Sequence, residues 1–150
     1  MSDLKKELHQ LCINYVRKSM EAAQDAINDA QKASTDDTKS SAGDKYETSR
    51  EMMQQETDRN MAQLNEANKL LVALNRISTN GTTPAAEPGS VVVTNNGNFY
   101  LAISAGTLLL DGKNYFAVSP ASPVGKMLSG KKAGEKFTLN GKAYQIESVI

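Results

Sequence analysis

Proline and glycine are distributed very unevenly along this 150-residue chain, and this limits its possible folds more than any other feature. All four prolines and nine of the ten glycines lie beyond residue 80, and only Gly43 interrupts the part before it. Because proline and glycine break helices, a long stretch almost without them favours two long helices joined by one turn. The sequence therefore predicts helices at about Asp3–Ala33 and Lys45–Ile77, with the turn at Ser34–Asp44.

Apolar residues repeat at helical spacing in both predicted helices. In the first helix this seam consists of Leu4, Leu8, Leu11, Tyr15, Ala22, Ala26, Ala30 and Ala33. In the second helix it consists of Tyr46, Met53, Thr57, Leu64, Ala67, Leu71 and Leu74. Because these steps of three, four and seven residues keep one face of each helix apolar, they predict an antiparallel coiled-coil hairpin.

Short runs that are typical of strands fill the second half of the chain. They lie at Ser90–Thr94, Asn98–Ser104, Thr107–Leu110, Tyr115–Val118, Lys136–Leu139 and Ala143–Val149. Asn-Gly or Asp-Gly pairs, which favour tight hairpin turns, occur at residues 96–97, 111–112 and 140–141. Pro123–Ser129 has the length of one short helix, which Gly130 would end.

These patterns together predict an α+β chain. We expect a coiled-coil hairpin at residues 1–78, a linker at 79–89, and a small antiparallel β domain with one short helix at 90–150. The β domain has few apolar residues for a core, so we expect it to pack against the base of the hairpin.

Charge and cysteine content exclude several classes of protein. Seventeen basic residues balance seventeen acidic ones, so no net charge directs the chain to nucleic acid or to an anionic membrane. The longest apolar runs are too short to cross a membrane. Cys12 is the only cysteine and His9 the only histidine, which excludes an intrachain disulfide and a cysteine zinc site. We expect a cytoplasmic monomer that is not an enzyme by itself, with His9 and Cys12 in ordinary packing or at the surface.

Charged residues are concentrated near the turn between the two helices. The set is Asp36, Asp37, Lys39, Asp44, Lys45, Glu47 and Arg50. Asp44 and Glu47 have the spacing of a helix cap, in which Asp44 begins the helix and Glu47 reaches back to its amide. Carboxylates at such a tip could instead help to hold a hydrated Mg²⁺ ion, in a site that a partner completes. From the residues alone, both interpretations stay open.

The aromatic residues of the second half alternate with polar residues, as core positions of a half-buried sheet do. They are Phe99, Tyr100, Tyr115, Phe116, Phe137 and Tyr144. We interpret them as core, and a ligand pocket lined by them is the alternative. A basic cluster follows at Lys126, Lys131, Lys132 and Lys136, either as a solvated surface or as a site for an acidic partner.

Two segments carry a resemblance to a known family. In Val118–Glu135, a Ser-Pro pair starts a short helix that ends at Gly-Lys, and Gly-Glu precedes a strand; the matching residues are Ser122, Pro123, Gly130, Lys131, Gly134 and Glu135. The second segment, Tyr46–Glu51, reads Tyr-Glu-Thr-Ser-Arg-Glu. Both segments, and the order of hairpin, linker and β domain, resemble the GreA/GreB family of transcript-cleavage and elongation factors.

The resemblance implies an FKBP-like fold for the β domain and a function in transcription elongation. In that family the β domain binds RNA polymerase at the rim of the secondary channel, and the hairpin reaches towards the active site. The resemblance implies docking through Ser122 and Pro123. It also implies two tip acids that share a Mg²⁺ ion with the polymerase, for which Asp44 and Glu47 have the family's spacing, and an RNA-phosphate contact by Arg50. From their positions near the tip, we expect Asp36 and Asp37 as alternates for the acids and Lys45 as a second RNA contact, with the nascent RNA 3′ end an indirect partner. No cofactor of its own is expected.

The tip of the hairpin differs from the family pattern Gly-Asp-x-x-Glu-Asn-Ala-Glu-Tyr. Alignment on Tyr46 and Arg50 places Lys39 and Ala42 at the positions of the two acids. Alignment on Gly43–Glu47 restores both acids but loses the Asn-Ala-Glu-Tyr segment. Polymerase binding is therefore a firmer inference than stimulated cleavage of backtracked RNA. The alternatives are a channel-occupying inhibitor that does not cleave, an FKBP-like peptidyl-prolyl isomerase and a coiled-coil adaptor.

Overall fold

The computed structural model describes residues 2–37, 43–79 and 81–150, with side chains outside the description at the helix ends 2–3, 33–37 and 43–50. Helix α1 spans Ser2–Asp37 and helix α2 spans Gly43–Asn75. The following elements are β1 (Val91–Thr94), β2 (Gly97–Leu101), β3 (Gly106–Leu110), β4 (Lys113–Val118), α3 (Pro123–Leu128), β5 (Lys136–Leu139) and β6 (Lys142–Val149). The predicted α+β class is confirmed.

Both long helices extend into the turn that the sequence predicted at Ser34–Asp44. Helix α1 continues to Asp37, and α2 already begins at Gly43. The prediction ended the first helix too early because it weighted turn-forming side chains. No glycine or proline lies between Ala33 and Gly43, so the backbone itself contains no helix breaker there.

The apolar seam of α1 has the predicted period but a different phase. Its buried residues are Leu8, Cys12, Val16, Ala23 and Ile27. The assignment of Tyr15 and Ala22 to the seam was wrong, because Tyr15 is 48% exposed and Ala22 is exposed. Alanines occur at several phases of this helix, so they did not reveal which face is covered. In α2 the predicted seam residues Ala67 and Leu74 are buried.

The chain forms two compact units. Unit 1 contains Met1–Tyr15 and Leu71–Ile150, that is, the outer ends of both helices together with the sheet, and unit 2 contains Val16–Leu70. In unit 2, Gln63 Nε2 donates to Ser19 Oγ at 3.3 Å, and further along Asp29 and Met53 line one groove. Because residue numbers fall on α2 as they rise on α1, the two helices run antiparallel within this unit.

The six strands form one sheet in the order β3-β4-β2-β1-β6-β5. Neighbouring strands are antiparallel except β2 and β4, which are parallel. The predicted sheet is thus right except for this one pair. The two-residue turns at Asp111-Gly112 and Asn140-Gly141 have positive φ at both residues, 50° and 76° in the first and 52° and 77° in the second. Both are therefore hairpin turns that the sequence predicted. The third prediction, a turn at Asn96-Gly97, was wrong, because Gly97 already belongs to β2 and pairs with Thr94, so the turn consists of residues 95–96.

The sheet of unit 1 has a buried residue set on each face. On the face that we call the α3 face, the core consists of Ala86, Val92, Phe99, Leu101, Leu128, Phe137 and Ile146. On the other face Tyr100 is paired with Val91, and both are fully buried. The Tyr100 hydroxyl lies near enough to Cys12 for the charge of a thiolate to raise the tyrosine pKa. The outer end of α1 therefore borders the sheet on this second face.

Candidate functional site

The turn at Ser122-Pro123, which the resemblance singles out, is tightly hydrogen-bonded. Ser122 has φ −68° and ψ 160° and caps α3: its Oγ accepts from the Gly125 amide at 3.0 Å. The same Oγ donates to the Ser119 carbonyl oxygen at 2.6 Å. Pro123 occupies the first helical position, where its missing N–H leaves no hydrogen bond unmade, and it is exposed. The turn therefore presents Pro123 to solvent in one fixed conformation.

Gly125 is required for the close approach of α3 to the preceding loop. A Cβ atom at this position would lie 1.8 Å from the Ser119 carbonyl oxygen and 2.9 Å from Ser122 Oγ. Ser129 Oγ donates to the Gly125 carbonyl oxygen at 2.8 Å and closes the helix at its other end. Because glycine has no side chain, α3 can pack directly against the backbone of Ser119 and the capping side chain of Ser122.

The rest of the resembling segment is also held by backbone bonds. The Gly130 amide donates to the Ala86 carbonyl oxygen at 2.8 Å, and the Ala86 amide donates to the Lys131 carbonyl oxygen at 2.8 Å. Gly134 donates to the Ile146 carbonyl oxygen at 2.7 Å, and Glu135 accepts from the Lys132 amide through its carboxylate. These hydrogen bonds fix the turns and strand connections that follow α3.

An exposed apolar pair lies on the α3 face near the β3 edge of the sheet. Leu109 is 66% exposed and Phe116 is 39% exposed. Phe116 is opposite Thr107 in the strand register, so Leu109 is its diagonal neighbour on the same face. The Phe116 ring lies 5.7 Å from that of Phe99, which belongs to the core. We call Leu109 and Phe116 the apolar pair.

Sequence reasoning missed this pair. It placed Phe116 in the core and did not single out Leu109, because three consecutive leucines in β3 hide the alternation that separates the two faces. The core assignment is correct for Phe99, Tyr100, Tyr115 and Phe137, which are buried. Phe116 differs because it lies on the opposite face of β4 from the buried Tyr115, where its strand-register partner is the exposed Thr107.

The lysines of the basic cluster form no ion pair with a described carboxylate. Lys126, Lys132 and Lys136 are exposed and Lys131 is half-buried. The one ion pair in the described part of the chain joins Lys69 and Glu66 at 3.9 Å, so none of these four lysines is neutralised by a described carboxylate within salt-bridge distance. Exposed lysines of this kind favour acidic surfaces on a partner.

No family model, curated protein or solved structure matches this chain. The GreA/GreB resemblance therefore rests on the residues quoted above.

The side chains predicted to act at the tip lie outside the described residues. Asp36 and Asp37 belong to the last turn of α1, and the backbone of α2 includes the positions Asp44, Lys45, Glu47 and Arg50. Because α2 begins at Gly43, Asp44 lies inside its first turn. The shared Mg²⁺ site and the RNA contacts stay predictions.

His9 and Cys12 have ordinary packing roles, as the sequence indicated. His9 Nε2 lies 2.7 Å from the Leu74 carbonyl oxygen, which ties the outer ends of the two helices together. Cys12 is fully buried, and burial raises the pKa of its thiol to about 12. A thiol that stays protonated at neutral pH is a poor nucleophile.

Within the described ranges, no three cysteine, histidine or acidic side chains come together as a metal site. Over the same ranges, no helix combines the length and the apolar character that a membrane crossing requires.

Proposed function

We propose that the protein is a Gre-like regulator of transcription elongation, which acts in the cytoplasm by binding RNA polymerase at its secondary channel. The observation that carries this proposal is the turn at Ser119–Ser129, in which the resembling Ser-Pro pair caps a helix and holds Pro123 rigidly at the surface. A loop fixed in one conformation loses little conformational entropy on binding, so it suits a docking surface.

The apolar pair supplies a second element of the proposed docking surface. Leu109 and Phe116 lie on the α3 face, and α3 itself carries exposed Lys126 in its last turn. Interfaces commonly combine an apolar centre with a polar rim, and exposed lysines improve the match to an acidic partner. We infer that the polymerase surface facing this region is apolar at its centre and acidic at its margin.

The two long helices supply the part that would enter the channel. At about 1.5 Å per residue, the 33 residues of α2 extend about 50 Å. The tip residues Asp44 and Glu47 would then lend carboxylates to the polymerase active site, and the polymerase itself would cleave the RNA. If they do not, the protein is a regulator that occupies the channel without cleavage.

Binding to purified core RNA polymerase, followed by cleavage of a stalled, backtracked complex, tests this proposal. We expect the full chain to bind and Leu109→Ser with Phe116→Ser to bind at least tenfold more weakly. The matched control is Val72→Ser, because Val72 is 50% exposed on α2 and lies outside the proposed surface.

Pro123→Ala tests the docking turn separately, since alanine is tolerated at the first position of a helix. Ser122 is unsuitable for this purpose because its side chain also caps α3. Equal affinity of the wild-type protein, the apolar-pair variant and Pro123→Ala would refute the proposed docking surface. Absence of wild-type binding would refute the proposed function itself.

A further inference from the structure

Lys5 is an unusual residue in the outer end of α1. It is only 5% exposed, although lysine is rarely buried unless it is paired. Its Nζ donates to the Gly81 carbonyl oxygen at 2.9 Å, across 76 residues of sequence. Gly81 lies in the connection between α2 and β1, so one side chain joins the start of the chain to this connection.

We call this connection, residues 81–89, the strap. Its two halves differ in how many hydrogen bonds join them to other elements. Its second half is bound by backbone: Ala86 exchanges hydrogen bonds with residues 130–131, and Gly89 donates to the Leu101 carbonyl oxygen at 2.6 Å. In its first half, Thr83 Oγ1 donates to Ala85 within the strap itself. Within 81–84, the bond from Lys5 is the one hydrogen bond to another element that the structure describes. Gly81, Thr82 and Pro84 are exposed.

The electrostatics of Lys5 do not make this contact a conventional ion pair. Burial lowers the pKa of the Lys5 ammonium, and the nearby Glu87 carboxylate raises it by a smaller amount. Glu87 lies beyond salt-bridge distance and is exposed. A methionine would fill the same space without the cost of desolvating a charge, but it could not bind the carbonyl. The Lys5 ammonium therefore supplies a hydrogen bond to the strap that an apolar side chain of the same size could not supply.

We propose that Lys5 is a latch, whose ammonium holds the first half of the strap against α1 and whose loss frees that half while the second half stays on the sheet. The device lies within unit 1 and does not depend on the proposed polymerase function. It makes the stiffness of the connection between α2 and β1 depend on one charged group.

NMR relaxation of the full-length protein tests the latch. In the wild type, we expect backbone order parameters of about 0.85 at Gly81, Thr82 and Thr83, which is the value of rigid backbone. Lys5→Met should lower them below about 0.6 and leave Ala86–Ser90 unchanged. The matched control is Lys6→Met, because Lys6 is the exposed neighbour on the same helix. Unchanged order parameters in folded Lys5→Met would overturn the proposal.

A second measurement needs no variant and applies if Lys5→Met fails to fold. In wild-type protein with ¹⁵N-labelled lysine, the Lys5 ammonium should exchange its protons with water at least tenfold more slowly than the Lys6 ammonium. Equal rates for the two ammonium groups would show that Lys5 is not held, and would also overturn the latch.

Discussion

Tyr100 provides a sharp test of the packing in unit 1. Its side chain is fully buried in β2, and among the residues that the structure describes its hydroxyl has no hydrogen-bond partner. A buried hydroxyl without a partner costs about 1–3 kcal/mol, because its hydrogen bonds to water are lost on folding and not replaced. Phenylalanine has the same shape without the hydroxyl. We therefore expect Tyr100→Phe to stabilise the protein.

The expected gain is about 1–2 kcal/mol in the free energy of unfolding, since some packing contacts of the oxygen are also lost. For a chain of this size, that gain corresponds to a rise of about 2–8 °C in Tm. Urea and thermal unfolding followed by far-UV circular dichroism measure both quantities. Tyr115→Phe is the control, because Tyr115 is also buried but its hydroxyl is not among the buried unpaired groups, and we expect a change below about 0.5 kcal/mol.

A loss of about 1 kcal/mol or more in Tyr100→Phe would refute this reasoning. It would mean that the hydroxyl forms a hydrogen bond in solution and that this part of unit 1 is packed differently. A gain of equal size in Tyr115→Phe would show instead that the effect does not depend on the unpaired hydroxyl.

Three further predictions concern other parts of the molecule. Gly125→Ala should destabilise the protein by at least about 2 kcal/mol, because the added Cβ would lie 1.8 Å from the Ser119 carbonyl oxygen. Thermal unfolding measures this loss, and an unchanged Tm would contradict the close approach of α3 to its loop. Burial raises the pKa of the Cys12 thiol from 9.0 to about 12. The free energy of unfolding should therefore be highest below pH 9 and fall as the pH rises from 9 towards 12. In urea titrations over this range, the wild type should lose more of this free energy than Cys12→Ala. Parallel pH profiles would contradict this. If Asp44 binds metal, Asp44→Asn should abolish stimulated cleavage and leave polymerase binding and Tm unchanged, because asparagine caps a helix about as well as aspartate. Retained cleavage in this variant would leave only a structural role for Asp44.

Local sequence patterns predicted the elements well because each has a local cause. Strand β5 spans Lys136–Leu139 as predicted, and the turns at residues 111–112 and 140–141 form where an acid or amide precedes glycine. The cap at Ser122 and the helix after it also follow from neighbouring residues. None of these features depends on distant parts of the chain.

Features that depend on distant residues were not predictable in the same way. The phase of the α1 seam depends on what covers it, and so Val16 rather than Tyr15 is buried. The parallel pairing of β2 with β4 joins strands that are separated in sequence by β3. The hydrogen bond from Lys5 to Gly81 joins residues that are 76 apart in sequence. A single sequence contains no local signal for such pairings.

Competition for the secondary channel tests the central claim most directly. Core RNA polymerase is saturated with a fluorescently labelled GreA or GreB factor, and the unlabelled protein is titrated while fluorescence anisotropy reports the bound fraction. If the protein occupies the same channel, it should displace the labelled factor completely, and the apolar-pair variant should require at least tenfold more protein than Val72→Ser. A labelled factor that stays bound at saturating protein would contradict the proposed function.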